Sequence, residues 1–317
     1  MSALRTALKD YLDMRRGLGF ELRTPGYNLD RFVAFLEQAR AAYITTDLAV
    51  QWATRPRDAS PAYQAMRLSH IRRFAAWRKA TDPRTEVPPD GILPYRTRRK
   101  APFIYSDEQV RAVLAAARVL PSSKRLRALT YSTLFGLIAV TGMRVSEAVT
   151  LDRNDVNLDE KIVTIRRTKF GKTRMVPLHA SAALALRRYA AARDRLFRVT
   201  ATPAFFLSEL RRRVTIGSAE YNFAQASRYA GLRGRAEGQR QGHGHGPRIH
   251  DLRHRFAVKT LLTWYRSGLD AEREMPKLSA YLGHVHVADT YWYIEAVPEL
   301  LRLATERLER GGKKVRR

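Results

Sequence analysis

The sequence predicts a mainly α-helical protein with one small β-hairpin or sheet, divided into two domains. Three observations point there. Apolar residues recur at helical spacing, often behind a capping residue, over most of the chain. Two short runs, IVTIRR (162–167) and TRMVPL (173–178), alternate like strands about a turn, TKFGK. A proline-rich basic stretch separates a front section from a longer back one, and 317 residues suit roughly two domains.

The front section reads as four short helices. ALRTALKDYLDMRR places Leu4, Leu8, Tyr11 and Leu12 on one face, and YNLDRFVAFLEQA repeats the pattern with Leu29, Phe32, Val33 and Leu36. A third helix starts near Thr46. The fourth opens at Ser60-Pro61, a cap followed by proline at the first helical position. It points Met66, Ile71, Phe74 and Trp77 inward and leaves Arg67, Arg72, Arg73 and Arg78 outward for a polyanion. Residues 82–102 hold five prolines and the basic cluster Arg98, Arg99 and Lys100, which marks a semi-rigid linker that offers cations to the same polyanion.

The back section opens with SDEQ (106–109), a capping box. A very apolar helix, LRALTYSTLFGLIAVTG, then ends at Gly142; the hairpin follows, and helices dominate after Ser181. Residues 231–247, GLRGRAEGQRQGHGHGP, have no apolar period and read as a mobile basic loop.

Charge narrows the function. Lys and Arg number 58 against 30 Asp and Glu, a net of +28, with +9 through residue 100 and +19 beyond it. A field of one sign over both sections suits a long nucleic-acid surface. With no cysteine there are no disulfides and no thiolate metal sites or nucleophiles. The charged N-terminus lacks a secretory h-region and no apolar run is long enough to span a bilayer, so a cytoplasmic protein is expected, nucleoid-associated when on DNA.

Three segments carry chemically demanding residues at their ends. In TGMRVSEAVTL, Arg144 follows the apolar helix and has Glu147 as its near partner. Lys169 sits at the hairpin tip, with Lys172 as an alternative. In PRIHDLRHRFA, His250 and Arg253 lie three apart at a helix start and share a face. The order TGMR…E, a hairpin lysine before R-x-VPL, H-x-LR, LGH and then a tyrosine resembles the tyrosine recombinase (phage-integrase) family over about 103–300. The helical front resembles that family's core-binding domain.

The resemblance implies a helical core-binding (SAM-like) domain at 1–85, a linker at 86–102, and an α+β catalytic domain at 103–317 whose C-terminal helix docks on a neighbouring protomer. It makes Arg144, Lys169, His250, Arg253 and His284 catalytic, with Glu147 in support. Tyr293, nine residues past His284, is the nucleophile and Tyr291 the alternative. It further implies site-specific recombination of double-stranded DNA by a homo- or hetero-tetramer. The ending TYWYIEAVPEL looks most like recombinases of mobile elements, which favours integration or transposition.

These residue types suit such chemistry on their own terms. Phosphodiester attack spreads negative charge over the non-bridging oxygens, which two planar guanidinium donors match better than lysines. A phenol of pKa about 10 needs a base or a cationic field near pH 7. His250 is the expected base, His284 a donor to a phosphate oxygen, and Lys169 the donor to the 5′-oxygen leaving group. No cofactor or metal is expected. Zinc is the competing chemistry, since His250 and His254 have i, i+4 spacing with His243, His245 and His286 in reserve. It leaves the charge unexplained. The competing functions are a catalytically silent DNA-binding architectural partner and a type IB topoisomerase.

Overall fold

Ser2, Thr45 and Ser60 each accept a hydrogen bond from the backbone N–H three residues on, and so fix the starts of three helices in the front section. The computed structural model describes residues 2–55, 58–93, 102–166, 173–198, 202–234, 246–284 and 286–315. The chain divides into two compact units, Met1–Lys100 and Ala101–Arg317. The first holds α1 (Ala3–Gly17), α2 (Arg23–Gln38), α3 (Thr46–Thr54) and α4 (Pro61–Lys79). Leu4, Leu8, Tyr11, Leu29, Phe32, Leu36, Trp52, Ile71 and Phe74 form its core.

The buried stripe of α4 is in part the one the apolar pattern suggested, with Ile71 and Phe74 in the core and Trp77 packed against it. Leu68 and Ala75 lie inside with Ile71 and Phe74, while Met66 is half-buried. Arg67, expected outward, is 7% exposed, because its guanidinium lies 3.6 Å above the Trp52 ring. The front half of the proline-rich stretch packs on this same unit. Glu86 accepts from the Thr46 N–H, Arg72 donates to the Pro88 and Pro89 carbonyls, and Val87 and Leu93 join the core.

The second unit begins with α5 (Asp107–Arg118), where Ser106 and Gln109 form the expected capping box. It is followed by α6 (Leu126–Thr141) and α7 (Val145–Thr150). Strands β1 (Val156–Asn157), β2 (Ile162–Ile165) and β3 (Arg174–Pro177) make an antiparallel sheet in that order, with Val163 opposite Val176. Val163, Ile165 and Val176 point into the core, as period-two alternation requires. Helices α8 (Ala180–Leu196), α9 (Ile216–Tyr229), α10 (Ile249–Arg266), α11 (Ala271–Leu282), α12 (Ala288–Ala296) and α13 (Pro298–Val315) complete it.

Buried on most sides, α6 packs against α5, α8 and α10. The last helix, α13, seats Leu300 in the cluster built by α10, α11 and α12, and Glu299 pairs with Arg266 at 2.6 Å. Among the described residues no helix is long and apolar enough to cross a membrane.

Candidate active site

Two helix ends hold two arginines. Helix α6 stops at Gly142 and α11 stops at Gly283, each in the left-handed region (φ 63° and 68°) that glycine adopts without strain. Neither position has room for a side chain. A Cβ on Gly142 would stand 2.5 Å from Phe256, and one on Gly283 would stand 2.6 Å from the Arg174 guanidinium. The carbonyls at these ends carry the negative pole of their helices and await donors.

Arginines supply them. Arg253, in the second turn of α10, donates to the Gly142 carbonyl at 2.7 Å and to the Leu282 carbonyl at 2.8 Å. Arg144, just before α7, donates to the Gly283 carbonyl at 2.9 Å. Two guanidiniums from distant segments thus rest on adjacent carbonyls of one turn. Arg253 is 1% exposed, and burial, together with Arg144, pushes its pKa down to about 10, which still leaves it charged near neutrality.

Glu147 ties this pair to the sheet. It accepts from the Arg144 backbone N–H and from Nη1 of the same residue, at 2.8 and 2.9 Å, and from both terminal nitrogens of Arg174 on β3, at 3.0 and 2.7 Å. Burial works against its ionisation, but the bonds from Arg174 and Arg144 outweigh that and hold the carboxyl below the usual carboxylate range. Arg174 was visible in the sequence only as a letter of the R-x-VPL pattern. Its role is to grip Glu147 with a planar fork.

The rings gather beside Arg253. Tyr293 is 2% exposed and Tyr291 is 38% exposed, so of the two only Tyr293 faces inward from α12. Its hydroxyl meets Nδ1 of His254 at 2.9 Å. His254 stands edge-on to His250, with ring centroids 4.7 Å apart, and the Trp292 ring lies 5.7 Å away. His284, just past the turn that receives both arginines, shares a hydrogen bond between its Nδ1 and the buried Thr290 hydroxyl at 2.7 Å.

All three imidazoles are neutral near pH 7. Burial first, then the neighbouring cations and rings, brings His250 and His284 down to about 4 and His254 to about 3. For His250 and His284 the leading cation is Arg253; for His254 it follows the His250 ring.

Arg144, Glu147, His250, Arg253, His284 and Tyr293 are thus brought together. Lys169, its alternative Lys172, the linker residues Arg98, Arg99 and Lys100, and most of the Gly- and Arg-rich segment lie outside the described residues. Arg72 is held by the proline carbonyls and by Asp90 at 2.8 Å, whereas Arg73 is exposed. Among the described residues no three His, Asp or Glu side chains group as a metal site would require. The sequence pointed to His254 only through its metal-like spacing and did not single out Thr290: the first meets Tyr293 from 39 residues away, and the second reaches back six residues to His284.

Residues 104–299 match the Phage integrase family. The putative integrase/recombinase y4rB of Sinorhizobium fredii is 47% identical over 314 residues, which cover 98% of each chain. Tyrosine recombinase XerD of Neisseria meningitidis serogroup B is 30% identical over 232 residues, 73% of this chain and 71% of its own. Among solved structures, the Tn1549 transposon integrase in complex with transposon right end DNA matches with a TM-score of 0.63 at 15% identity, covering 96% of this chain and 99% of its own. A lambda integrase dimer bound to a COC′ core site matches at 0.59 and 16% identity, over 91% and 94%. At such identities these two structures establish the shared fold.

Proposed function

The chain belongs to the phage integrase family and is a tyrosine recombinase, and from there we propose that it cuts and rejoins DNA at specific sites through a 3′-phosphotyrosyl bond to Tyr293, in the integration or transposition of a mobile element. One observation carries the reading. Arg144 and Arg253 converge on the adjacent carbonyls of Gly283 and Leu282, and the Tyr293 phenol is bonded to the residue next to Arg253.

A scissile phosphate seated against the two guanidiniums gains most as its charge grows in the transition state. His284, with Nδ1 engaged by Thr290, keeps Nε2 to donate to a non-bridging oxygen. Lys169 on the hairpin protonates the departing 5′-oxygen. The phosphotyrosyl bond keeps the energy of the phosphodiester, so strands rejoin without ATP. The mobile-element role is supported by the resemblance of the TYWYIEAVPEL ending and by the name of the 47% identical relative.

The front unit, with exposed Arg73, and the basic stretch at 98–100 would grip the duplex, and a tetramer would assemble on it. In such an assembly α13 would leave its own α10 and dock on a neighbour, undoing the Glu299–Arg266 pair.

Nicked duplexes tiling the DNA on either side of the encoding gene provide the test, since a nick near the cleavage point lets the cut fragment escape and traps the adduct. Wild type and Tyr291→Phe should form a denaturant-stable protein–DNA adduct, and Tyr293→Phe should form none. An adduct with Tyr293→Phe, or none with wild type on any tile, overturns the reading.

A further inference from the structure

We propose that His254, rather than His250, takes the proton from Tyr293 during strand cleavage and returns it during rejoining. The inference rests on the assignment of Tyr293 as nucleophile and adds the proton's destination. Its basis is contact: the Tyr293 hydroxyl lies 2.9 Å from His254 Nδ1. General bases act within that reach of the proton they remove.

The surroundings fit a proton acceptor. His254 occupies a slot between the edge of His250 and the rings of Trp292 and Tyr293, with centroids 4.7, 5.7 and 5.5 Å away, which fixes the plane of its ring. A neutral imidazole carries one ring proton, so with the hydrogen on Nε2 the Nδ1 lone pair faces the phenol.

Without DNA, His254 is a weak base. Burial is the chief cause, followed by the His250 ring, Arg253 and Arg248. A scissile phosphate between the arginines brings negative charge to that spot and offsets those cations, which raises the basicity of His254 as the substrate arrives. The nucleophile is then activated only on a loaded site.

The step balances. The Tyr293 O–H bond breaks as its oxygen bonds phosphorus, the proton moves to His254 Nδ1, and the bond from phosphorus to the 5′-oxygen breaks. That oxygen takes its proton from a separate donor. In rejoining, the 5′-hydroxyl attacks phosphorus and returns its proton to that separate donor, the phosphotyrosyl bond breaks, and His254 gives its proton back to the phenolate. His250 is left to face the phosphate.

The test compares His254→Asn with wild type on a tile that wild type cleaves. The asparagine amide still offers a hydrogen bond to the phenol but cannot accept its proton. Single-turnover adduct formation should fall about 100-fold or more, with DNA affinity within about threefold of wild type. The loss should persist on a duplex with sulfur in place of the scissile 5′-oxygen, because a thiolate leaves without a proton. A loss under tenfold, or recovery on the sulfur duplex, overturns the proposal; recovery would make His254 the leaving-group donor. His254→Gln gives the same comparison should the Asn variant melt early. Tyr293→Phe runs alongside: an adduct there sinks the nucleophile assignment itself, whatever His254 does.

Discussion

At the scale of single residues, the site is organised by one carboxylate and three imidazoles whose protonation the fold controls. Glu147 is ionised against the penalty of burial because Arg174 and Arg144 hold it. Its folded pKa lies below its unfolded one, so its stabilisation is complete above about pH 4.3 and is lost as pH falls through the folded value. Removing it leaves two arginines facing one another, and Glu147→Ala should cost about 3 kcal/mol in denaturant unfolding. The histidines act at higher pH. His250, His254 and His284 all have depressed pKa values, at about 4, 3 and 4, so the unfolded chain takes up protons first as pH drops. Stability should therefore decline below about pH 6.5, by about 2 kcal/mol per histidine at pH 5. Melting curves of wild type and a His250→Gln variant check the sign: the variant should lose less stability between pH 7 and pH 5. An equal loss would mean that the ring is solvated.

At the scale of elements, the placing of Arg144 and Arg253 depends on where two helices stop. Gly142 and Gly283 end α6 and α11, and each presents its carbonyl to an arginine. Gly142→Ala combines a left-handed backbone with a Cβ 2.5 Å from the Phe256 ring, so on the order of 1–3 kcal/mol should be lost in unfolding, with cleavage reduced because Arg253 loses its seat. Unchanged melting would show that Phe256 swings aside freely. Much of this level could be read from the letters. The capping box at Ser106 and Gln109, the glycine stop of α6 and the alternation of β2 and β3 are local signals, and the structure has them. The inward face of α4 was legible at Ile71, Phe74 and Trp77 but not at Arg67, whose guanidinium stacks on Trp52 and fills a core position that polarity assigns to solvent. Arg174, Thr290 and the contact of His254 with Tyr293 escaped for a related reason. Two of these join elements far apart in the chain and Thr290 reaches back six residues to His284, and no spacing rule encodes which nitrogen will face which oxygen.

At the scale of the whole molecule, a net charge of +28 spread over both sections should govern how DNA is held. Every phosphate neutralised releases condensed counterions, so the logarithm of the binding constant should fall linearly and steeply with the logarithm of salt concentration. The structure separates two kinds of arginine within this total. Arg73 is exposed, so if it meets a phosphate, Arg73→Ala should lower the salt slope by about 1 and leave melting unchanged. Arg67 is buried against Trp52 with its guanidinium 3.6 Å from the ring. Arg67→Ala should therefore act through the core of the first unit, at a cost of about 1–2 kcal/mol, and shift melting more than salt dependence. Both variants can be read in one titration series at several salt concentrations, paired with thermal melts. A flat salt response in wild type would count against a phosphate-dominated surface. If instead Arg67→Ala flattened the slope while melting normally, the guanidinium must leave Trp52 to reach DNA, and the front unit would have to rearrange on binding.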